Sequence, residues 1–191
     1  MDSVLIYTES GPAVGCGHVV RQVHLARALR ERGAEVGSWP LRPTAATGYL
    51  LDHGIRSGRS TADIGIVDVM NFDFQSVWAL GERVRKLVIV VGAGQMPGAG
   101  EICDLLVYQT GWLMTGGIPS VLSGCDHLIL APGYAEAADA LRPREALVVF
   151  GAGIPWPYSV AVTKELSATG LTGTLVVPPY HRSEFGRTSA P

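Results

Sequence analysis

Runs of apolar residues alternate with amphipathic stretches along almost the whole chain. Val4–Thr8 is a continuous apolar run that predicts a first strand, and Val19–Arg32 carries apolar residues near a 3.6-residue period. Val20, Val23, Leu25, Ala26 and Leu29 would form that helix's buried face, and Gly33 would stop it. Glu35–Trp39 predicts a second strand, Thr44–Asp52 a helix stopped by Gly54, and Asp63–Asp68 a third strand. Phe74–Val84 then reads as helix, Lys86–Val91 as a β-branched buried strand, and Asp104–Tyr108 and His127–Leu130 as further strands. The Gly-, Met- and Thr-rich segments 92–100 and 111–125 read as loops. Continuous rather than alternating apolar runs imply strands covered on both faces, the mark of a parallel, doubly wound α/β sheet.

The pattern then starts again. Ala131–Arg144 reads as a small helical segment containing Pro132 and Pro143. Ala146–Phe150 reads as a strand, Gly151-Ala152-Gly153 as a glycine-rich turn, Tyr158–Thr169 as a helix and Gly173–Val177 as a strand. The expected organisation is a Rossmann-like domain over residues 1–144, a βαβ unit over 145–178 that begins a second domain, and a polar tail over 179–191. One βαβ unit is too small for a core of its own. It would need the first sheet, another chain or the rest of a longer protein.

Composition narrows the function classes. The chain has 191 residues, 47% hydrophobic and 17% charged, with a net charge of −2. The weakly acidic balance and the lack of a basic run argue against nucleic-acid binding. No apolar stretch reaches the length of a membrane span. The three cysteines, Cys16, Cys103 and Cys125, have no metal-ligand spacing and suggest a reduced, cytoplasmic setting.

Candidate chemistry centres on Gly15-Cys16-Gly17-His18-Val19-Val20-Arg21, between the first strand and the first helix. A glycine-rich turn at this place is where α/β proteins hold phosphates. His18 would stand at the helix start, among free backbone N–H groups and the positive end of the dipole, a setting that favours a neutral, proton-accepting ring. The dinucleotide fingerprint is not met. Val20 stands where its third glycine belongs, and the second strand ends in Ser38-Trp39-Pro40 without the ribose-binding acid. Arg21, one turn along, could meet a phosphate or carboxylate, or simply be solvated. Asp68, at the expected C-terminal end of a strand, is either a site residue or a loop cap. His24 reads as structural, and Cys16 as a small residue filling a tight loop.

These residues resemble a known family. Gly15-x-Gly17-His18-x-x-Arg21, followed by Leu25-Ala26-x-x-Leu29 and Gly33, is similar to the UDP-sugar hydrolases of pseudaminic acid biosynthesis and the related spore-coat polysaccharide proteins. Both belong to the glycosyltransferase-B superfamily. Further similarities follow in order: Ile66-Val67-Asp68, Cys103-Asp104-Leu105-Leu106-x-x-Gln109, Leu130-Ala131-Pro132-Gly133-Tyr134 and Val148-Val149-Phe150-Gly151-Ala152-Gly153. The resemblance implies the N-terminal, acceptor-side half of a two-domain glycosyltransferase-B protein plus the start of its second half. It implies a nucleotide-sugar substrate, with His18 as the base that activates water or a hydroxyl for attack at the anomeric carbon of a UDP-sugar. Glu9, Gly15, Gly17, Arg21, Asp68, Gln95 and Gln109 would lie against the substrate, and Gly151 and Gly153 against the nucleotide. No cofactor and no metal are implied.

Departures accompany the matches. Thr8-Glu9-Ser10 stands where the family has Asp-Ala-Ser, so Glu9 would have to orient His18 or a sugar hydroxyl. Gln22 occupies a cysteine-like position, and Val69-Met70-Asn71 follows Asp68 in place of His or Ser and an aromatic. The second domain is cut short before the motifs that would hold most of the uridine and diphosphate. A homodimer or a complementary second-domain chain could complete the site. The rival reading is a non-catalytic binding or scaffolding subunit, or one half of a split two-chain glycosyltransferase.

Overall fold

The computed structural model describes residues 2–11, 14–39, 45–57, 59–70, 73–91, 98–108, 120–124, 127–130, 145–149, 156–170 and 172–176. Its contacts divide the chain into two units: Met1–Ser10 with His18–Ala131, and Gly11–Gly17 with Pro132–Pro191.

The first unit is an all-parallel six-stranded sheet. Its strands are β1 (Ser3–Thr8), β2 (Glu35–Ser38), β3 (Ala62–Asp68), β4 (Val84–Val91), β5 (Leu105–Tyr108) and β6 (Val121–Ser123), in the spatial order 2-1-3-4-5-6. Helix α1 (Gly17–Glu31) follows β1, α2 (Ala45–Asp52) follows β2, α3 (Phe74–Gly81) follows β3, and the single turn α4 (Ala99–Ile102) follows β4. This is the doubly wound, Rossmann-like α/β class that the continuous apolar runs predict.

Alternation along the strands sorts the two faces. Leu5, Val67, Ile89 and Leu106 are buried in one cluster with Val77 and Leu80 of α3. Gly65 faces the same way. A Cβ there would come 3.1 Å from Val84 and 3.3 Å from Leu80, so those side chains would have to give by a few tenths of an ångström to admit one. Ile66 and Asp68 point to the opposite face, as do their register partners Ile6 and Thr8. That face is the one α1 covers, with Val19, Gln22, Val23 and Ala26 buried. The buried stripe of α1 is therefore rotated from the expected one. Val20, Leu25 and Leu29 are only half-buried, and a polar glutamine occupies the stripe.

Local signals set the helix ends. Gly33 has φ of 86°, and its N–H bonds to the Arg30 carbonyl while that of Ala34 bonds to Leu29, a Schellman stop. Gly54, at φ 72°, stops α2 in the same way. The Arg30 guanidinium ties the two ends together by donating to the carbonyls of Val36 and Gly54. Asp73 caps α3, accepting from Gln75 N–H at 3.1 Å and the Ser76 hydroxyl at 2.6 Å.

Two expected elements differ. α3 ends at Gly81 rather than running to Val84, because Val84 pairs with Ala62 and begins β4. The sixth strand is not His127–Leu130, which forms no strand. It is Val121–Ser123, inside a segment expected to be loop. Three residues with Leu122 40% exposed make too short an apolar run to stand out.

In the second unit, β7 (Glu145–Val149) and β8 (Thr172–Val176) pair in parallel, with α5 (Trp156–Ala168) between them in sequence. This is a βαβ unit, as the pattern suggests. The expected helical segment 131–144 lies outside the described residues.

Candidate functional site

The strand order reverses at β1. The chain leaves β1 to one side for β2 and returns to the other side for β3. In open α/β sheets the crevice at such a switch point, beyond the C-terminal ends of the strands, is where ligands bind. Thr8 and Asp68 are the last residues of β1 and β3 and lie side by side in register. α1 starts just after β1, so its first turns cover this end of the sheet.

The first turns of α1 deliver three side chains to one carboxylate. Asp68, with 0% of its side chain exposed, lies 2.8 Å through Oδ1 from Nδ1 of His18. Arg21 spans both oxygens, donating from Nε to Oδ2 at 2.8 Å and from Nη2 to Oδ1. Gln22 donates from Nε2 to Oδ2 at 2.8 Å. The spacing explains the convergence. Residues 18, 21 and 22 stand at i, i+3 and i+4, neighbours on one helical face.

Burial alone would push the Asp68 carboxyl up. The hydrogen bonds from His18, Arg21 and Gln22, with the Arg21 charge, outweigh it and hold the group below its ordinary value near 3.8. Asp68 is therefore an ionised acceptor at neutral pH. Nδ1 of His18 must then carry its proton toward Oδ1, because an unprotonated Nδ1 at 2.8 Å would oppose a lone pair to a carboxylate. The nearby Nη2 of Arg21, 3.1 Å from Nδ1, is a second N–H converging on the same oxygen. In a neutral ring this tautomer leaves Nε2 of His18 as the proton acceptor. The ring and Arg21 remain partly accessible, with 17% and 18% of their side chains exposed.

The residues expected at the site distribute as follows. His18, Arg21 and Asp68 meet. The carboxylate on His18 is that of Asp68; Glu9 instead accepts a hydrogen bond from the backbone N–H of Met70, joining the loops after β1 and β3. Gly15 is buried at φ 86°, in a loop closed by reciprocal hydrogen bonds with Gly11 at 3.1 and 2.7 Å. Gly17 is the exposed first residue of α1, and a Cβ there would meet nothing within 4 Å. Gln95, Gln109, Gly151 and Gly153 lie outside the described residues. Tyr108 is buried in the core, and Asp104 is a staple for Lys86 and the backbone N–H of Leu87. Gln22 joins the site without being among the expected residues. The signal was present: a polar residue at an i+4 position from a suspected histidine, within an otherwise apolar stripe.

Two buried polar atoms here have no partner among the described residues, Thr8 Oγ1 and Gln22 Oε1. Among the described residues, no three His, Cys, Asp or Glu side chains gather as metal ligands, and no helix is long and apolar enough to cross a membrane.

The fold is shared with MurG of Acinetobacter baumannii. The superposition has a TM-score of 0.52 and covers 92% of this chain and 67% of that one, at 14% sequence identity. At that identity the likeness is one of fold. No protein-family model and no curated protein matches the sequence.

Proposed function

We propose that the chain acts on a nucleotide-activated sugar, with His18 as general base and Asp68 as the group that orients it. The observation that carries this reading is the 2.8 Å contact between His18 Nδ1 and an ionised, fully buried Asp68 at the switch point of the sheet. A base whose second nitrogen is held by a carboxylate is the arrangement of acyl-transfer triads, and it serves any reaction that starts by deprotonating a hydroxyl. The fold likeness to MurG, a UDP-sugar enzyme of the glycosyltransferase-B superfamily, supports the substrate class, as does the Gly15-Cys16-Gly17-His18 turn.

In the proposed step, Nε2 of His18 takes a proton from water or from an acceptor hydroxyl. The oxygen bonds to the anomeric carbon as the bond from that carbon to the diphosphate oxygen breaks. The nucleoside diphosphate leaves with the electron pair. It is a good leaving group, so the main demands on the protein are a positioned base and N–H or cationic help for the diphosphate. In this reading water as acceptor makes the protein a hydrolase, and a second sugar hydroxyl makes it a transferase.

A second reading, a sugar-binding subunit without turnover, is favoured by one observation. The Arg21 guanidinium already spans both oxygens of Asp68, so its charge is largely committed inside the cluster. A diphosphate would then need its cations from elsewhere, for instance from a complementary chain or a second copy.

Phosphorus NMR of the purified chain with UDP-, GDP- and CMP-sugars tests the proposal. Free nucleoside diphosphate should appear from a UDP-sugar. His18→Ala should slow its release by roughly 10²–10⁴-fold, the usual contribution of a positioned base. No turnover and no line broadening from any donor would remove the stand-alone enzyme.

A further inference from the structure

Gln22 is the odd member of the Asp68 cluster. Its side chain is wholly buried on a helix face otherwise made of Val19, Val23 and Ala26. A leucine or methionine of similar length would fill that space without a polar atom. Buried amides occur where both their oxygen and nitrogen find partners. Here Nε2 bonds Asp68 Oδ2 at 2.8 Å, while Oε1 has no partner among the described residues.

The amide cannot turn over to relieve its oxygen. Turned, Oε1 would face the ionised carboxylate, acceptor against acceptor. The carboxylate therefore fixes the amide's orientation, and the amide in turn holds one carboxylate oxygen. Arg21 bonds both oxygens, Nε on Oδ2 and Nη2 on Oδ1, and so sets the plane of the carboxylate. Gln22 bonds Oδ2 alone, and His18 bonds Oδ1 alone. Thr8 Oγ1, also buried without a partner among the described residues, projects from the residue in register with Asp68 to the same face.

We propose that Gln22 is a positioning residue. By holding Oδ2 it keeps Oδ1 aimed at Nδ1 of His18, and so keeps the neutral ring in the tautomer whose Nε2 is free to accept a proton. The catalytic meaning of this assignment rests on the proposed role of His18 as base; the tautomer itself does not.

Long-range proton–nitrogen NMR of the full chain, with histidine rings labelled with nitrogen-15, reads the tautomer directly. The unaltered chain should show neutral His18 with Nδ1 protonated and Nε2 bare. Gln22→Met, close in length but without the amide, should move the balance toward the Nε2-protonated form while the backbone spectrum stays native. A folded Gln22→Met chain with an unchanged tautomer would overturn the assignment. A second measurement needs no variant. The Gln22 side-chain amide protons should shift in step with the titration of His18, relayed through Asp68, and amide signals blind to that titration would also overturn it. Where a UDP-sugar is turned over, Gln22→Met should lower kcat roughly tenfold to a hundredfold with KM unchanged, as expected for a misaligned base. A tautomer that responds in a chain without turnover would reject the base and keep the positioning. Turnover with an unresponsive tautomer would reject the positioning and keep the base.

Discussion

β3 begins and ends near an aspartate, and the two are used in opposite ways. Asp63, at the N-terminal end of the sheet, accepts from the backbone N–H and hydroxyl of Ser3 at 3.0 and 2.8 Å and, at 3.3 Å, from Arg85. Its own N–H returns a bond to the Ser3 hydroxyl. Its side chain is 34% exposed, and the Arg85 side chain 83%. Asp68, five residues on, is wholly buried and held by His18, Arg21 and Gln22. Both carboxyls are held below their ordinary value: Asp63 chiefly by the Ser3 backbone and side chain, Asp68 by its three partners against the opposing push of burial. The same residue type on the same strand thus makes a surface staple at one end and a buried anion at the other. Among the described residues only the second is bonded to a histidine, and only the second lies at the C-terminal end of the sheet.

The sharpest way to break this contrast is to remove each carboxylate in turn. Asp68→Ala would leave Arg21 and Gln22 buried without their acceptor and should cost about 3–5 kcal/mol of stability, the usual loss on orphaning one partner of a buried pair. Asp63→Ala removes groups that water replaces and should move the urea midpoint far less. Equal losses in the two variants would mean that burial does not separate the two ends.

Acid sharpens the comparison further. A carboxyl depressed in the folded state adds stability above its unfolded value, here near 3.8, and that contribution fades as pH falls through the lower folded value. The unaltered chain should therefore lose stability more steeply than Asp68→Asn as pH drops below about 3.8. Urea midpoints taken from pH 6 to about pH 2.5 would show it; parallel curves would count against the role of Asp68.

The smallest effect belongs to a third aspartate, Asp104, which precedes β5 and pairs with Lys86 at 2.7 Å, 67% of the lysine side chain being exposed. Lys86→Ala should cost no more than about 1 kcal/mol and less in high salt, as exposed pairs do. A loss as large as that of Asp68→Ala would show that exposure is not what ranks these ion pairs.

Much of the sheet could be read from the sequence because its strands are buried on both faces. Val4-Leu5-Ile6, Ile66-Val67 and Val88–Val91 are uninterrupted apolar runs, and each lies within a strand. The glycine stops at Gly33 and Gly54 were equally legible, since a positive φ is a local demand. β6 was not, because three half-exposed edge residues carry too little apolar signal. Nor was the end of α3, where tertiary pairing of Val84 with β3 overrides a helical continuation.

The site was half legible. A histidine after a glycine-rich turn is a local feature, and so is a carboxylate at a strand end. Their contact spans 50 residues of sequence and depends on strand order, which one sequence does not reveal. Gln22 was hidden for another reason. The apolar residues of α1 predict a face through Val20, Val23, Leu25, Ala26 and Leu29, whereas the buried one runs through Val19, Gln22, Val23 and Ala26.

Cys103 carries a consequence of another kind. It is 7% exposed, at the approach to β5, and burial and then the Asp104 charge raise its thiol above the ordinary value of 9.0. A thiol so protonated and enclosed reacts with an alkylating reagent only when the chain around it opens. Its labelling rate under native conditions is thus a built-in clock for local unfolding around the start of β5, free of any engineered probe.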